Sequence, residues 1–144
     1  MKTAAFLRNV PVFAGLSDEL LQRLADQLDE FHVGASDWVL RAGEPADSMF
    51  IVRSGHVDVI NEGPPESLIR ILRRGDVLGE LALLRQGTRS ASVRARRDAE
   101  LLELSRNQFE TLIQEAPSFA LGLTRAMGAQ LAASRSSRRR HRER

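Results

Sequence analysis

Residues Gly79 to Val93 read GELALLRQGTRSASV, and this stretch decides the fold that we predict for the 144-residue chain. A glycine opens an apolar turn that follows the strand-like pair Val77 and Leu78. This order predicts a strand that runs into the start of a helix, where the first main-chain N–H groups lack intrahelical partners. Because the positive end of the helix dipole also lies there, the stretch is predicted to bind an anion.

Four residues of the stretch suit a ligand that carries both a phosphate and hydroxyl groups. Gly79 has no Cβ and permits a close approach to its main chain, whereas the Glu80 carboxylate can accept a hydroxyl of a sugar. Arg89 offers a planar fork for two phosphate oxygens, and Ser90 adds a hydroxyl beside it. Each of these residues alone is common in proteins that bind no anion, so it is their spacing that favours a site.

The stretch resembles the phosphate-binding cassette of cyclic nucleotide-binding domains. This family includes the protein kinase A regulatory subunit, the bacterial catabolite activator and cyclic-nucleotide-gated channels, and its cassette reads roughly F-G-E-L-A-L-L, a short loop and P-R-(S/T/A)-A-(S/T)-V. Here Leu78 stands in place of the frequent Phe, and Thr88 in place of the Pro that many members have. Neither change removes a group that would contact the ligand.

The resemblance implies a role for each residue of the cassette. Glu80 would accept the ribose 2′-hydroxyl, and Arg89 and Ser90 would bind the cyclic phosphate. The main-chain N–H groups of Gly79 and Ala82 would complete the cradle.

The identity of the base follows from the same resemblance. Members that prefer cGMP often carry Thr after the cassette arginine, so Ser90 favours cAMP, with cGMP as the second choice. A gap-free alignment from Arg89 onward with the catabolite activator's pattern places Ser134 where a hydroxyl contacts the adenine. The predicted ligand-binding residues are Gly79, Glu80, Leu81, Ala82, Arg89, Ser90, Ala91 and Ser134.

Helices are predicted at both ends of the chain. Ser17 is a good N-cap for a helix that runs to about Glu30, and Ser105 forms a capping box with Gln108 before a second helix. A last helix starts at Pro117, and its apolar residues recur at four-residue steps. These residues are Phe119, Leu123, Met127 and Leu131.

Between these helices, short apolar runs alternate with turns, which predicts strands of a sandwich or roll. The predicted strands cover residues 38–40, 49–53, 57–61, 68–72, 91–95 and 100–104. Gly43, Gly55 and Gly75 stand where the family places turn glycines. The expected fold is therefore mainly β, a jelly-roll-like β-roll (double-stranded β-helix) with N-terminal and C-terminal helices.

Composition and charge predict one domain with a basic end. Residues 135–144 contain six arginines and one glutamate, which give a formal charge of +5. Because the net charge of the chain is +2, the other residues together carry −3. We expect residues 1–134 to form the domain and residues 135–144 to be a disordered tail. The chain has no cysteine, no signal-peptide core and no run long enough to span a membrane, which favours a cytoplasmic protein.

The sequence shows no catalytic motif, and His32, His56 and His141 lack metal-ligand spacing, so neither an enzyme, a metal nor a cofactor is predicted for this chain. The resemblance implies a module that relays occupancy by cyclic nucleotide through its C-terminal helix to an effector. That effector could belong to a larger bacterial protein, such as a patatin-like phospholipase, an esterase or a transporter, and the C-terminal helix could also form a homodimer.

Two alternatives stay open at this point. The roll could have lost its ligand and serve as a scaffold for protein interaction, or the basic tail could contact nucleic acid or an anionic membrane. The tail has no interleaved aromatic residues and no regular face, so nucleic acid is the weaker expectation.

Overall fold

Two four-stranded antiparallel sheets form the body of the protein in the computed structural model, which describes residues 2–85 and 87–126. The strands are β1 (Asp29–Val33), β2 (Trp38–Leu40), β3 (Ser48–Ser54), β4 (Val57–Asn61), β5 (Ser67–Leu72), β6 (Val77–Leu78), β7 (Ser92–Ala95) and β8 (Ala99–Ser105). One sheet has the order β1-β8-β3-β6 and the other β2-β7-β4-β5. Strands that are distant in sequence thus lie side by side, as a jelly-roll-like β-roll requires, and the predicted fold is confirmed.

Helices precede and follow the strands. They are α1 (Lys2–Arg8), a 3-10 turn (Pro11–Phe13), α2 (Asp18–Gln27), α3 (Glu80–Arg85), α4 (Arg106–Glu115) and α5, which covers residues 117–126 of the described chain. Ser17 Oγ accepts the Leu20 N–H, and Ser105 and Gln108 form the complete capping box, as predicted. None of the helices within residues 2–85 and 87–126 is both long and apolar enough to cross a bilayer.

The helix predicted to reach about Glu30 ends earlier. The last residue of α2 is Gln27, and Leu28 already has extended dihedral angles, φ −71° and ψ 139°. Glu30 instead pairs with Leu102, and Phe31 with Leu101, in the antiparallel ladder between β1 and β8. The prediction was wrong here because pairing with a strand some seventy residues away overrides the local helical pattern.

Strand β3, which lies between β8 and β6 in its sheet, is buried on both faces. Met49 and Ile51 belong to a core that the sheet shares with the helices, whereas Phe50 and Val52 belong to a second core inside the roll. Successive side chains of a strand point to opposite faces, so the unbroken apolar run MFIV supplies both cores at once. This sheet therefore connects the inside of the roll to the helices.

The helix α5 packs closely onto the N-terminal segment. The Phe119 ring stacks on Phe13 at a centroid distance of 5.6 Å and meets the Phe109 ring edge-on at 5.7 Å. A Cβ on Gly122 would come within 2.8 Å of the Val12 carbonyl oxygen. The beginning of α5 is thus part of the helical core. Met127, Leu131, Ser134 and the predicted tail at residues 135–144 lie outside the described residues.

Candidate anion-binding site

The predicted cassette folds as a strand, a turn and a short helix. β6 leads into Gly79, whose φ of +85° lies in the left-handed region that glycine adopts without strain, and α3 begins at Glu80. Glu80 and Ala82 are buried, whereas Leu81 and Ser90 are exposed and Ala91 is half-buried. Gly79 to Ala82 thus form the turn and the first part of α3, and Arg89, which precedes Ser90 and Ala91, reaches back to the turn. The structure does not describe Ser134.

Arg89 is the centre of this arrangement. Its side chain is folded inward, and the residue is only 7% exposed. One Nη donates to the Ser48 carbonyl oxygen at 2.7 Å, and the other donates to the Gly79 carbonyl oxygen at 3.2 Å. The fork therefore joins the first residue of β3 to the turn that precedes α3.

The absence of a side chain at Gly79 makes room for this arginine. A Cβ built on Gly79 would lie 2.5 Å from an Nη atom of Arg89 and 3.3 Å from the Ser48 carbonyl oxygen. The glycine therefore meets two requirements at once, the left-handed dihedral and the close approach of the guanidinium.

Burial sets the electrostatics of the site. Desolvation lowers the pKa of the Arg89 guanidinium below its ordinary value, and nearby negative charges oppose this shift. These charges are the carboxylates of Asp47, Glu44, Glu103 and Glu80. Arginine nevertheless stays protonated in proteins, so the site holds a buried positive charge in a frame of main-chain carbonyls and carboxylates. Such a frame can bind an anion through the cation and a hydroxyl through a carboxylate.

The main chain of Arg89 is fixed as firmly as its side chain. Its N–H donates to the Glu44 carbonyl at 2.8 Å, and its own carbonyl accepts the Gly43 N–H at 2.9 Å. The Ala46 N–H donates to the Gly87 carbonyl at 3.3 Å. Residues 43–46 and 87–89 therefore form a short ladder that sets where the arginine leaves the backbone.

Sequence reasoning missed the residues that hold Arg89 in place. Ser48 lies 41 residues from Arg89, and the ladder partners Gly43 and Glu44 lie about as far away. Main-chain carbonyls accept from any donor, so nothing in the local sequence marks Ser48 as a contact. The turn glycine Gly43 was noted, but only as a feature of the fold.

Other concave and polar regions lie apart from the predicted site. A cleft of about 460 Å³ between α2 and α4 is lined by Leu20, Arg23, Leu24, Gln27, Asn107, Gln108, Thr111, Leu112 and Glu115, none of which belongs to the cassette. In the part of the chain that the structure describes, no group of three or more His, Asp or Glu side chains is arranged to hold a metal ion.

Two large apolar residues, Leu68 and Ile69, are about half exposed on the edge strand β5.

Comparison with known proteins gives a consistent assignment. The family model described as cyclic nucleotide-binding domain matches residues 30–116. The chain is 36% identical over 132 residues to an uncharacterized NTE family protein of Mycobacterium tuberculosis. This match covers 92% of the chain and 22% of that protein. It is 35% identical over 109 residues to a cAMP-dependent protein kinase regulatory subunit of Emericella nidulans, covering 76% of the chain and 26% of that protein. The chain thus spans about a quarter or less of these curated relatives.

Solved structures share the fold. The catabolite activator protein of Thermus thermophilus matches with a TM-score of 0.79 and 28% identity, over 88% of this chain and 61% of that one. The regulatory domain of Toxoplasma gondii PKA, crystallised with cAMP, matches with a TM-score of 0.78 and 25% identity, over 88% and 49%. A regulatory subunit of a cAMP-independent protein kinase A from Trypanosoma brucei also matches, with a TM-score of 0.76 and 28% identity, over 84% and 44%.

A pair of glycine substitutions tests the packing of Arg89 against Gly79. Gly75 has a φ of +91° and open space around its Cα, so Gly75→Ala should lower the free energy of unfolding by about 1–2 kcal/mol through backbone strain alone. Gly79→Ala carries the same strain and also displaces the guanidinium, and disturbing its hydrogen bonds should cost about 1–2 kcal/mol more. Urea unfolding of both variants measures the difference, and equal losses would contradict the contact.

Proposed function

The chain belongs to the cyclic nucleotide-binding domain family, and on this premise we propose that it binds cAMP, in preference to cGMP, at the turn between β6 and α3. The buried Arg89 guanidinium is the observation that carries the proposal. An exposed arginine would gain little from an anion, because water screens the charge. A desolvated arginine gains far more from the same contact, since the local dielectric constant is low.

The neighbours of Arg89 suit the rest of a cyclic nucleotide. Glu80 is 3% exposed, and its negative charge acts on Arg89, so the carboxylate lies near the guanidinium. Arg89 would bind the cyclic phosphate, Glu80 would accept the ribose 2′-hydroxyl, and Ser90 would bind the phosphate from its exposed position. The preference for cAMP rests on Ser90, by the resemblance described above.

We further propose that occupancy is relayed to the C-terminal helices through Arg106, the first residue of α4. Its guanidinium donates to the Ala46 carbonyl and, at 3.4 Å, to the Leu83 carbonyl within α3. Its main-chain N–H donates to the Asp47 carbonyl at 2.9 Å. A shift of α3 that accompanies binding would therefore change the contacts of α4, and α4 reaches α5 through Phe109 and Phe119.

The receiver of the signal would be a further part of a longer protein. The match to the Mycobacterium tuberculosis NTE family protein covers 92% of this chain but only 22% of that protein. We propose that it regulates a patatin-like phospholipase or esterase segment, with a transporter as the second choice.

Calorimetric titration tests the ligand. Wild-type protein should bind cAMP saturably and more tightly than cGMP, and Arg89→Ala should weaken binding by about 30-fold or more, because the phosphate loses a buried charged partner. Arg85→Ala, which removes an exposed arginine at the end of α3, is the matched control and should bind as the wild type does. If neither nucleotide binds at millimolar concentration, the proposed function is wrong.

Hydrogen exchange tests the relay. Saturating cAMP should change the exchange rates of amides in residues 117–126 by about 5-fold or more. At a cAMP concentration that saturates each variant, Arg106→Gln should lose this change, whereas Glu110→Gln removes only the surface partner of Arg106, 4.0 Å away, and should behave like the wild type. Identical exchange in residues 117–126 with and without nucleotide would contradict the relay.

An activity measurement tests the effector. In a longer protein that carries this chain, cAMP should change the hydrolysis of a fluorogenic fatty-acid ester by about 5-fold or more, the usual range of allosteric coupling. The same protein with Arg89→Ala should not respond. A rate that is independent of cAMP in a protein that binds it would rule out the esterase as receiver.

A further inference from the structure

A network of three side chains lies behind the ladder that holds Arg89, and the predicted site did not include it. Ser92 is fully buried, and its hydroxyl donates to the Glu62 carboxylate. The same hydroxyl accepts the Ala42 N–H at 2.9 Å. Arg41 donates to both oxygens of Glu62, at 3.4 Å from Nε and more closely from Nη2.

This network ends where the ladder begins. Ala42 immediately precedes Gly43, whose N–H binds the Arg89 carbonyl, and Glu44 accepts the Arg89 N–H. The Ser92 hydroxyl therefore fixes the chain one residue before Gly43 and two residues before Glu44, the main-chain partners of Arg89. At the other end of the same loop, the Ala46 carbonyl accepts from Arg106, so the loop is held at both ends.

Glu62 decides which way the Ser92 hydroxyl points. A hydroxyl has one proton and two lone pairs, so donation to a carboxylate leaves a lone pair for an N–H donor. Arg41 and Ser92 both lower the pKa of Glu62, with the Arg41 hydrogen bond as the larger cause, and keep the carboxylate ionised as an acceptor. Without Glu62 the hydroxyl could rotate, and the Ala42 N–H would lose its oriented partner.

We propose that Arg41, Glu62 and Ser92 are positioning residues for the phosphate-binding Arg89, and that they act through the loop of residues 42–46. None of the three contacts the guanidinium itself in the described hydrogen bonds. They set the position of the backbone from which Arg89 reaches the ligand, and the misplacement of such an anchor weakens binding even when the binding residues are intact. The inference deepens the proposed function and rests on it for the ligand.

The chain supplies a matched control for this network. Arg94 binds Glu66 through two hydrogen bonds of 2.8 and 3.2 Å, and both Arg41 and Arg94 lie over the Trp38 ring, at 4.5 and 5.0 Å. The two ion pairs are similar in type and location, but the described hydrogen bonds connect only Glu62 to Ser92. Glu66→Ala therefore removes an equivalent surface pair and leaves the loop untouched.

The experiment combines amide exchange with titration. In nucleotide-free protein, Glu62→Ala and Ser92→Ala should speed exchange at Ala42, Gly43 and Arg89 by about 10-fold, the effect expected for the loss of one oriented hydrogen bond. Both variants should also bind cAMP about 10-fold more weakly by calorimetry. Glu66→Ala should match the wild type in both the exchange rates and the cAMP affinity. Ser92→Thr, which retains a hydroxyl, should also match the wild type in both. Glu62→Leu, which cannot accept a hydrogen bond, replaces Glu62→Ala if urea unfolding shows that the latter does not fold.

The outcomes separate this inference from the proposed function. Unchanged exchange at the three amides in Glu62→Ala and Ser92→Ala would overturn the network. Faster exchange with undiminished affinity would show that the network orders the loop but does not position the site, which also overturns the proposal. The wild type could bind neither nucleotide while exchange at the three amides is faster in Glu62→Ala and Ser92→Ala than in the wild type and Glu66→Ala. In that case the proposed function fails, and the conclusion that the network holds the Arg89 backbone stands.

Discussion

The burial of one guanidinium group is the constraint on which the cassette depends. A cation taken out of water is costly unless its donors find acceptors, and Arg89 finds them in the main-chain carbonyls of Ser48 and Gly79. Both carbonyls must point at the same place, and a side chain on residue 79 must be absent. The position of β3, the turn before α3 and the identity of Gly79 are therefore linked through a single side chain.

The topology of the roll brings these carbonyls together. β3 pairs with β6 through Phe50 with Leu78 and Ile51 with Val77, so the start of β3 lies beside the turn that follows β6. Because β3 is also buried on both faces, it cannot shift without disturbing two cores. The site thus rests on a strand that two cores hold in place, and the loop of residues 42–46 holds the main chain of Arg89.

The sequence revealed those features that are local. The caps at Ser17 and Ser105, most of the strands and the glycine turn at Gly79 have patterns within a few residues, and each was found where predicted. The helix end near Glu30 was misplaced because a distant strand decided it. The partners of Arg89 and the contact between Glu62 and Ser92, 30 residues apart, depend on tertiary pairing, which no periodicity in the sequence encodes.

This division between local and distant features has a physical consequence for the site. Apart from Ser134, the residues predicted to touch a ligand lie within thirteen positions, Gly79 to Ala91, and we infer that their geometry is set by Ser48, the loop of residues 42–46 and the buried Ser92 hydroxyl. The folded protein bears the cost of desolvating Arg89 without a ligand, so under the proposed function an anion would meet a guanidinium that is already held in place. A chain that kept Gly79, Glu80 and Arg89 but lost the buried Ser92 hydroxyl would keep the charge and lose part of this preorganisation. The motif is therefore necessary for the site, and the distant hydrogen bonds determine how well it is formed.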